Sequence, residues 1–138
     1  MNSNDCIFCK IVSGDIPSQR VYEDADTIAF LDIRPVNVGH TLVIPKAHFA
    51  NMLETPDEVL HTLTDVSKKI APGILKAVGS DAMNWSTNNG RAAGQLVFHM
   101  HFHLIPRFPA DGHKMWQGSD DHQDFAALAK KIREELGS

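Results

Sequence analysis

Two cysteines, one tyrosine and two tryptophans are all that this 138-residue chain carries of those types. So few cysteines exclude a disulfide-built scaffold, and a chain of this length buries roughly two-thirds of its unfolded surface without one. No apolar run approaches the ~20 residues that cross a bilayer. The N-terminus, MNSNDCIFCK, lacks the basic and long apolar regions of a secretory signal, so a cytoplasmic location is the expectation. There is also no excess of positive charge: 13 basic residues face 17 acidic ones, a net of −4. That argues against nucleic acid or an anionic membrane as the main partner. One small phosphate-bearing ligand is still allowed, since it needs only local donors. With 43% apolar and 22% charged residues, disorder and low complexity are out as well.

What the chain does have is eight histidines and clear punctuation. No repeat, linker or composition break divides it, so residues 1–138 read as one domain, with 1–5 a loose polar start. Ile7, Phe8, Ile11 and Val12 lie at helical spacing over 6–13. Arg20–Glu23 and Thr27–Leu31 read as strands joined by the polar turn Asp24–Asp26, and Thr41–Ile44 as a strand closed by Pro45. Thr55-Pro56-Asp57-Glu58 is a helix start with Thr55 as the cap of a capping box. Apolar residues from Val59 to Leu75 then recur at three and four, and the helix ends near Gly79, with a kink expected at Pro72-Gly73. Ala82–Thr87 and Val97–Ile105 read as strands, the second closed by Pro106. From about Asp121, Phe125, Leu128, Ile132 and Leu136 share one helical face. Strands, long helix, strands and helix do not alternate regularly, which favours an antiparallel α+β fold.

The chemistry concentrates in Phe98-His99-Met100-His101-Phe102-His103-Leu104. On a strand, side chains alternate, so Phe98, Met100, Phe102 and Leu104 face a core while His99, His101 and His103 face a polar site. Neutral imidazole can bind metal, move protons or attack as a nucleophile. The C-x-x-C pair, Cys6 and Cys9, reads as a metal half-site or a redox motif. Gly90 to Gly94 could bring backbone amides to a phosphate or form a plain turn.

The stretch Gly94–Arg107, with its H-φ-H-φ-H-φ-φ run, resembles the histidine triad (HIT) family. So do Gly39-His40-Thr41-Leu42-Val43-Ile44-Pro45-Lys46-Ala47-His48, Ala29–Ile33 and Cys6–Ile11, the last like the zinc-containing Hint branch. The resemblance spans about Cys6 to Arg107. It implies a HIT-like fold, an antiparallel sheet with one long helix and a C-terminal helix. It also implies hydrolysis at the α-phosphate of purine nucleoside phosphoramidates or adenylylated compounds through a nucleotidyl-histidine intermediate. In that picture His101 is the nucleophile, His103 contacts the phosphate and leaving group, and His40 orients the triad from behind. Asp32 meets the ribose, Asn88 and Gln95 lie by the phosphate, and Phe8, Ile11, Phe30 and Ile33 form the cleft for the base. Cys6, Cys9, His48 and His99 would make a closed, structural zinc set.

Leu96 departs from the pattern, standing where Hint members often carry serine. The resemblance further implies a homodimer, with Trp116 and the C-terminal segment near a partner's cleft. His61, His113 and His122 read as ordinary polar residues. Three other readings stand beside this one: a dinucleoside polyphosphate hydrolase, a non-catalytic nucleotide-binding regulator, and a metalloprotein whose three triad histidines share one ion.

Overall fold

The computed structural model describes residues 5–120 and 123–137. Most of the expected loose start, as well as Asp121 and His122, lies outside them. The elements are α1 (Ile7–Ser13), β1 (Arg20–Glu23), β2 (Thr27–Leu31), β3 (Thr41–Pro45), α2 (Asp57–Val78), β4 (Ala82–Ser86), β5 (Phe102–Arg107) and α3 (Phe125–Leu136). All strand pairs are antiparallel, in the order β1-β2-β3-β5-β4. The turn from β1 to β2 is held by Asp24, whose Oδ1 accepts from the amides of Asp26 and Thr27.

The sheet is covered on both faces, which is why β2 and β3 read as unbroken apolar runs. Ile28, Phe30, Leu42 and Ile44 pack with Cys6, Phe8 and Ile11 under α1. Ala29, Val43, Met100, Phe102 and Leu104 pack on the other face, with Leu63 and Val66 of α2. The period of two along a strand does this sorting. It also puts the apolar residues between the histidines under the long helix, as expected, and the histidines on the α1 side. α3 carries the expected stripe, but Phe125, Leu128, Ile132 and Leu136 are all exposed.

Three local expectations are corrected. The strand expected over Val97–Ile105 is regular only from Phe102, because the chain bends through 97–99 before entering the sheet. Phe98 consequently leaves the core face, and the Arg91 guanidinium lies over its ring, 5.5 Å from the centroid. Pro106 does not close β5, since pairing with β3 stops at Leu104 and the missing amide interrupts no ladder there. Thr55 does not cap α2: its hydroxyl donates to the Asn51 carbonyl at 2.7 Å, and no side chain caps the helix. α2 runs unbroken from Asp57 to Val78 through Pro72, which is exposed, so water can satisfy the carbonyl its ring leaves unpaired.

Gly39 marks where α2, β3 and β5 close on one another. Its φ is +87°, and a Cβ there would lie 2.8 Å from Val78 Cγ1 and 3.2 Å from Pro106 Cγ. Gly39→Ala should cost about 2–3 kcal/mol from left-handed strain and overlap, lowering the melting temperature by roughly 6–12 °C. Thermal melts in wild-type and Val78→Ala backgrounds check this. The penalty should shrink when Val78 is truncated, and an equal penalty in both would refute the overlap.

Candidate active site and metal centre

The C-x-x-C pair opens α1. Cys6 is the helix N-cap, and its sulfur accepts from the Cys9 amide. That turn sets both thiols toward the end of β3 and the bend before β5. Cys6 Sγ lies 3.4 Å and Cys9 Sγ 3.5 Å from His99 Nδ1, Cys9 Sγ lies 3.3 Å from His48 Nδ1, and the two Nδ1 atoms are 3.2 Å apart. These four distances match four of the six edges of a tetrahedron that would surround one ion with bonds of ~2.3 Å to sulfur and ~2.0 Å to nitrogen. Burial and the neighbouring Cys6 push the Cys9 thiol up to about 11, so paired thiolates here need a cation among them. His99 Nε2 contacts the Pro45 carbonyl at 2.8 Å. A carbonyl only accepts, so Nε2 carries the proton and Nδ1 offers its lone pair to the ion. The four residues thus offer four ligand atoms close enough together to hold one metal ion.

The same logic assigns the other triad histidines. His101 Nδ1 lies 2.7 Å from the His99 carbonyl and must donate to it. The neutral ring therefore keeps its lone pair on Nε2. His40 Nδ1 accepts from the Val36 amide at 3.0 Å, so its proton sits on Nε2, 3.0 Å from His103 Nδ1. His103 Nδ1 is then the acceptor and Nε2 carries its proton. That Nε2–H is buried without a partner among the described residues. Asp32, His40 and His103 come close enough to suggest a second ion, but the Val36 amide claims the lone pair that a neutral His40 would need to turn the proton away from Nε2. Within the trio His40 Nε2–H donates to His103 Nδ1, and Asp32 Oδ2, 3.7 Å from the same nitrogen, is beyond hydrogen-bond reach. With His99 turned to the cysteines and His101 Nδ1 to a carbonyl, a single ion shared by all three triad histidines does not fit.

His101 and His103 line a cleft of about 340 Å³ between α1, the end of β2 and the 96–97 segment. Phe8, Ile11 and Phe30 form its apolar wall and are also core, so both roles hold for the same side chains. Phe8 meets the His101 ring edge-on, with centroids 5.1 Å apart. Asp32 and Ile33 lie at its edge, Ile33 90% exposed. Asp32 Oδ1 accepts from the Arg34 amide, and Oδ2 lies 3.7 Å from His40 Nε2.

Asn88 and Gln95 do not line the cleft. Asn88 packs toward Gly94. The Gln95 side chain is spent on backbone, accepting from the Gly90 amide and donating to the carbonyls of Ala50 and Val97. Amides of Ala93, Gly94 and Gln95 bond within the 90–95 loop, which makes it a turn and not a phosphate cradle. Sequence reasoning missed Leu42, Ile16, Ser18 and Arg34, which also line the cleft. Only the fold-back of the chain after Gly14, whose φ is +88°, brings Ile16 and Ser18 there.

Burial lowers the pKa of His40, His101 and His103, that of His103 to about 4. All three are neutral at pH 7, which suits a nucleophile and a lone-pair acceptor.

Residues 13–110 match the HIT domain family. The adenosine 5'-monophosphoramidase of Schizosaccharomyces pombe is 43% identical, over 96% of both chains. The adenylylsulfatase of Arabidopsis thaliana is 45% identical over 78% of this chain and 55% of its own. A zinc-bound histidine triad family protein from Mycobacterium smegmatis superposes with a TM-score of 0.77 at 38% identity, covering 99% of this chain and 98% of that one. Among the described residues, no helix is long and apolar enough to cross a membrane.

The metal centre should hold about one ion per chain by elemental analysis. His99→Ala should lose it and melt at lower temperature, because an ion that binds only the folded state stabilises it; full metal content in that variant would sink the assignment. Acidification has a definite sign. Unfolded histidines protonate near 6.5 and the buried ones lower, His103 at about 4, so the unfolded state binds more protons between these values. These histidines should therefore leave stability unchanged from pH 6.5 up to about 8, below the range where the Cys9 thiol titrates, and lower it as pH drops through that window. Urea unfolding at several pH values checks it, with a shallower slope expected for His103→Gln.

Proposed function

The chain belongs to the HIT domain family, and on that premise we propose that it is a nucleotide hydrolase acting at the α-phosphate of purine nucleoside phosphoramidates or adenylylated compounds. The observation that carries the reading is the hydrogen bond from His101 Nδ1–H to the His99 carbonyl. It turns a neutral ring's Nε2 lone pair toward the same cleft that holds an apolar wall and a partnerless His103 Nε2–H. The activities for which the fission-yeast and Arabidopsis relatives are named support the substrate class.

In the first step His101 Nε2 attacks phosphorus, a P–Nε2 bond forms and the bond to the leaving amine or acyl group breaks. The developing imidazolium keeps its Nδ1–H on the His99 carbonyl. His103 Nε2–H donates to the phosphate or the leaving atom, and His40 holds His103 in that tautomer. Water then adds at phosphorus, releases the nucleoside monophosphate and returns His101. Across both steps one water is consumed, its oxygen on phosphorus and a proton on the departing group. Asp32 meets the ribose, and Phe8, Ile11, Phe30 and Ile33 hold the purine. Leu96, 90% exposed at the cleft, offers methyl groups and no hydrogen bond to whatever leaves. Zinc is the ion we assign to the cysteine-histidine set. It would tie α1 to the sheet and take no part in bond breaking. Thiolate ligands suit a reducing, cytoplasmic setting. The open edges at β1 and β4 suit the homodimer that the resemblance implies.

His101→Ala should lower turnover of adenosine phosphoramidates by at least about 10³-fold while metal content and AMP binding persist. Mass spectrometry of acid-quenched wild-type enzyme should find nucleotide on His101. Turnover by the alanine variant, or label on another residue, would overturn the mechanism.

A further inference from the structure

We propose that Thr87, a residue outside the cleft, is a positioning residue for the nucleophile, acting through the His101 main chain. The inference rests on the reading of His101 as nucleophile. Its starting point is where the sheet ends. β3 pairs with β5 as far as Val43 and Phe102, and β4 pairs with β5 as far as Ser86 and His103. Beyond Phe102, Pro45 has no amide to give, and its carbonyl is taken by His99 Nε2–H. The Met100 amide leaves the ladder for the Phe49 carbonyl, at 2.6 Å. His101 thus sits in a fork between two strands, at the first residue before regular pairing begins. A buried carbonyl there without a strand partner needs another donor. The Thr87 hydroxyl supplies it, donating to His101 O at 2.8 Å from just past the end of β4. The nucleophile is then held at three points: ring nitrogen on the His99 carbonyl, ring edge against Phe8, main-chain carbonyl on Thr87.

What the Thr87 bond adds is orientation. Attack on phosphorus needs Nε2 aligned with the breaking bond, and small errors in such alignment are costly. Thr87 lies outside the cleft lining, so its loss should alter the chemical step and leave ligand binding alone. Thr87→Val keeps the shape and removes the donor; Thr87→Ser keeps the donor.

The experiment measures, for wild type, Thr87→Val and Thr87→Ser, the single-turnover rate at saturating adenosine phosphoramidate, the Kd for AMP, the metal content, and the imidazole nitrogen chemical shifts of His101. We expect Thr87→Val to slow the single turnover about tenfold, or about 1.4 kcal/mol. Its AMP affinity should stay within about twofold and one metal should be retained. Thr87→Ser should recover most of the rate, and the His101 shifts should move in the valine variant alone. A valine variant as fast as wild type overturns the proposal, as does a serine variant as slow as valine, or a loss in AMP affinity equal to the loss in rate. If Thr87→Val does not hold metal, Thr87→Ala takes its place; loss of metal in both would make Thr87 structural and overturn the proposal too. Wild-type protein inactive on every phosphoramidate would remove the hydrolase reading instead, and the His101 shifts would then decide the Thr87 contact on their own.

Discussion

The hydrogen bond from His99 Nε2–H to the Pro45 carbonyl, 2.8 Å long and fully buried, fixes more of this molecule than its own net strength suggests. It sets the tautomer of His99, and so decides which ring nitrogen meets the cysteines. It occupies the last carbonyl of β3, and so ends the ladder to β5. It holds the backbone whose own carbonyl takes His101 Nδ1–H. The cysteine-histidine set and the proposed nucleophile are therefore neighbours through one residue, whose side chain belongs to the first and whose main chain holds the second. Phe8 repeats the link from the other side, since it lies between the two cysteines in sequence and packs on both His99 and His101.

Burial on both faces is the second constraint. With α1 on one side and α2 on the other, the middle of the sheet is buried on both faces, so His99 and His101 do not lie on a solvated surface. The three imidazoles are neutral because water cannot reach them easily, and they stay satisfied because each has a carbonyl, an amide or another ring to meet. The exception is His103 Nε2. An unpaired donor beside a cleft in an otherwise satisfied network is the kind of local cost that folded proteins keep at places where a ligand completes the set.

Much of this was legible beforehand, for reasons that particular residues make plain. β1 and β2 were found at their observed ends because Asp24 marks the turn and the flanking residues are β-branched or aromatic. The histidine face was legible because a period of two survives even where the strand is irregular, and the two cysteines were legible as half of a site because C-x-x-C is short and self-contained, whereas His48 and His99 joined them only through the family resemblance. The end of the ladder was not, because it depends on what the Pro45 carbonyl does in three dimensions. Pro106 inside β5 was not, because a proline is harmless only where the neighbouring strand has already stopped. Gln95 looked like a ligand residue from its place in a motif, yet its amide is used up by three backbone groups. Ile16, Ser18 and Leu42 reach the cleft only through the docking of α1 on the sheet, which no local pattern encodes.

The alternation around the histidines has a consequence for which length changes the chain can absorb. Removing or adding one residue between Phe98 and Arg107 would turn His101 and His103 under α2, against Leu63 and Val66, and would push Phe102 and Leu104 toward the cleft. Substitutions there can be graded, but an insertion or deletion exchanges core for cleft in a single event. Residues 112–120 are exposed throughout and belong to no strand, so the same one-residue change there shifts no face at all. Within this one small domain, then, a ten-residue stretch whose length is fixed lies a few residues from one whose length is free, and lineages of this chain can diverge by lengthening the second without ever passing through the first.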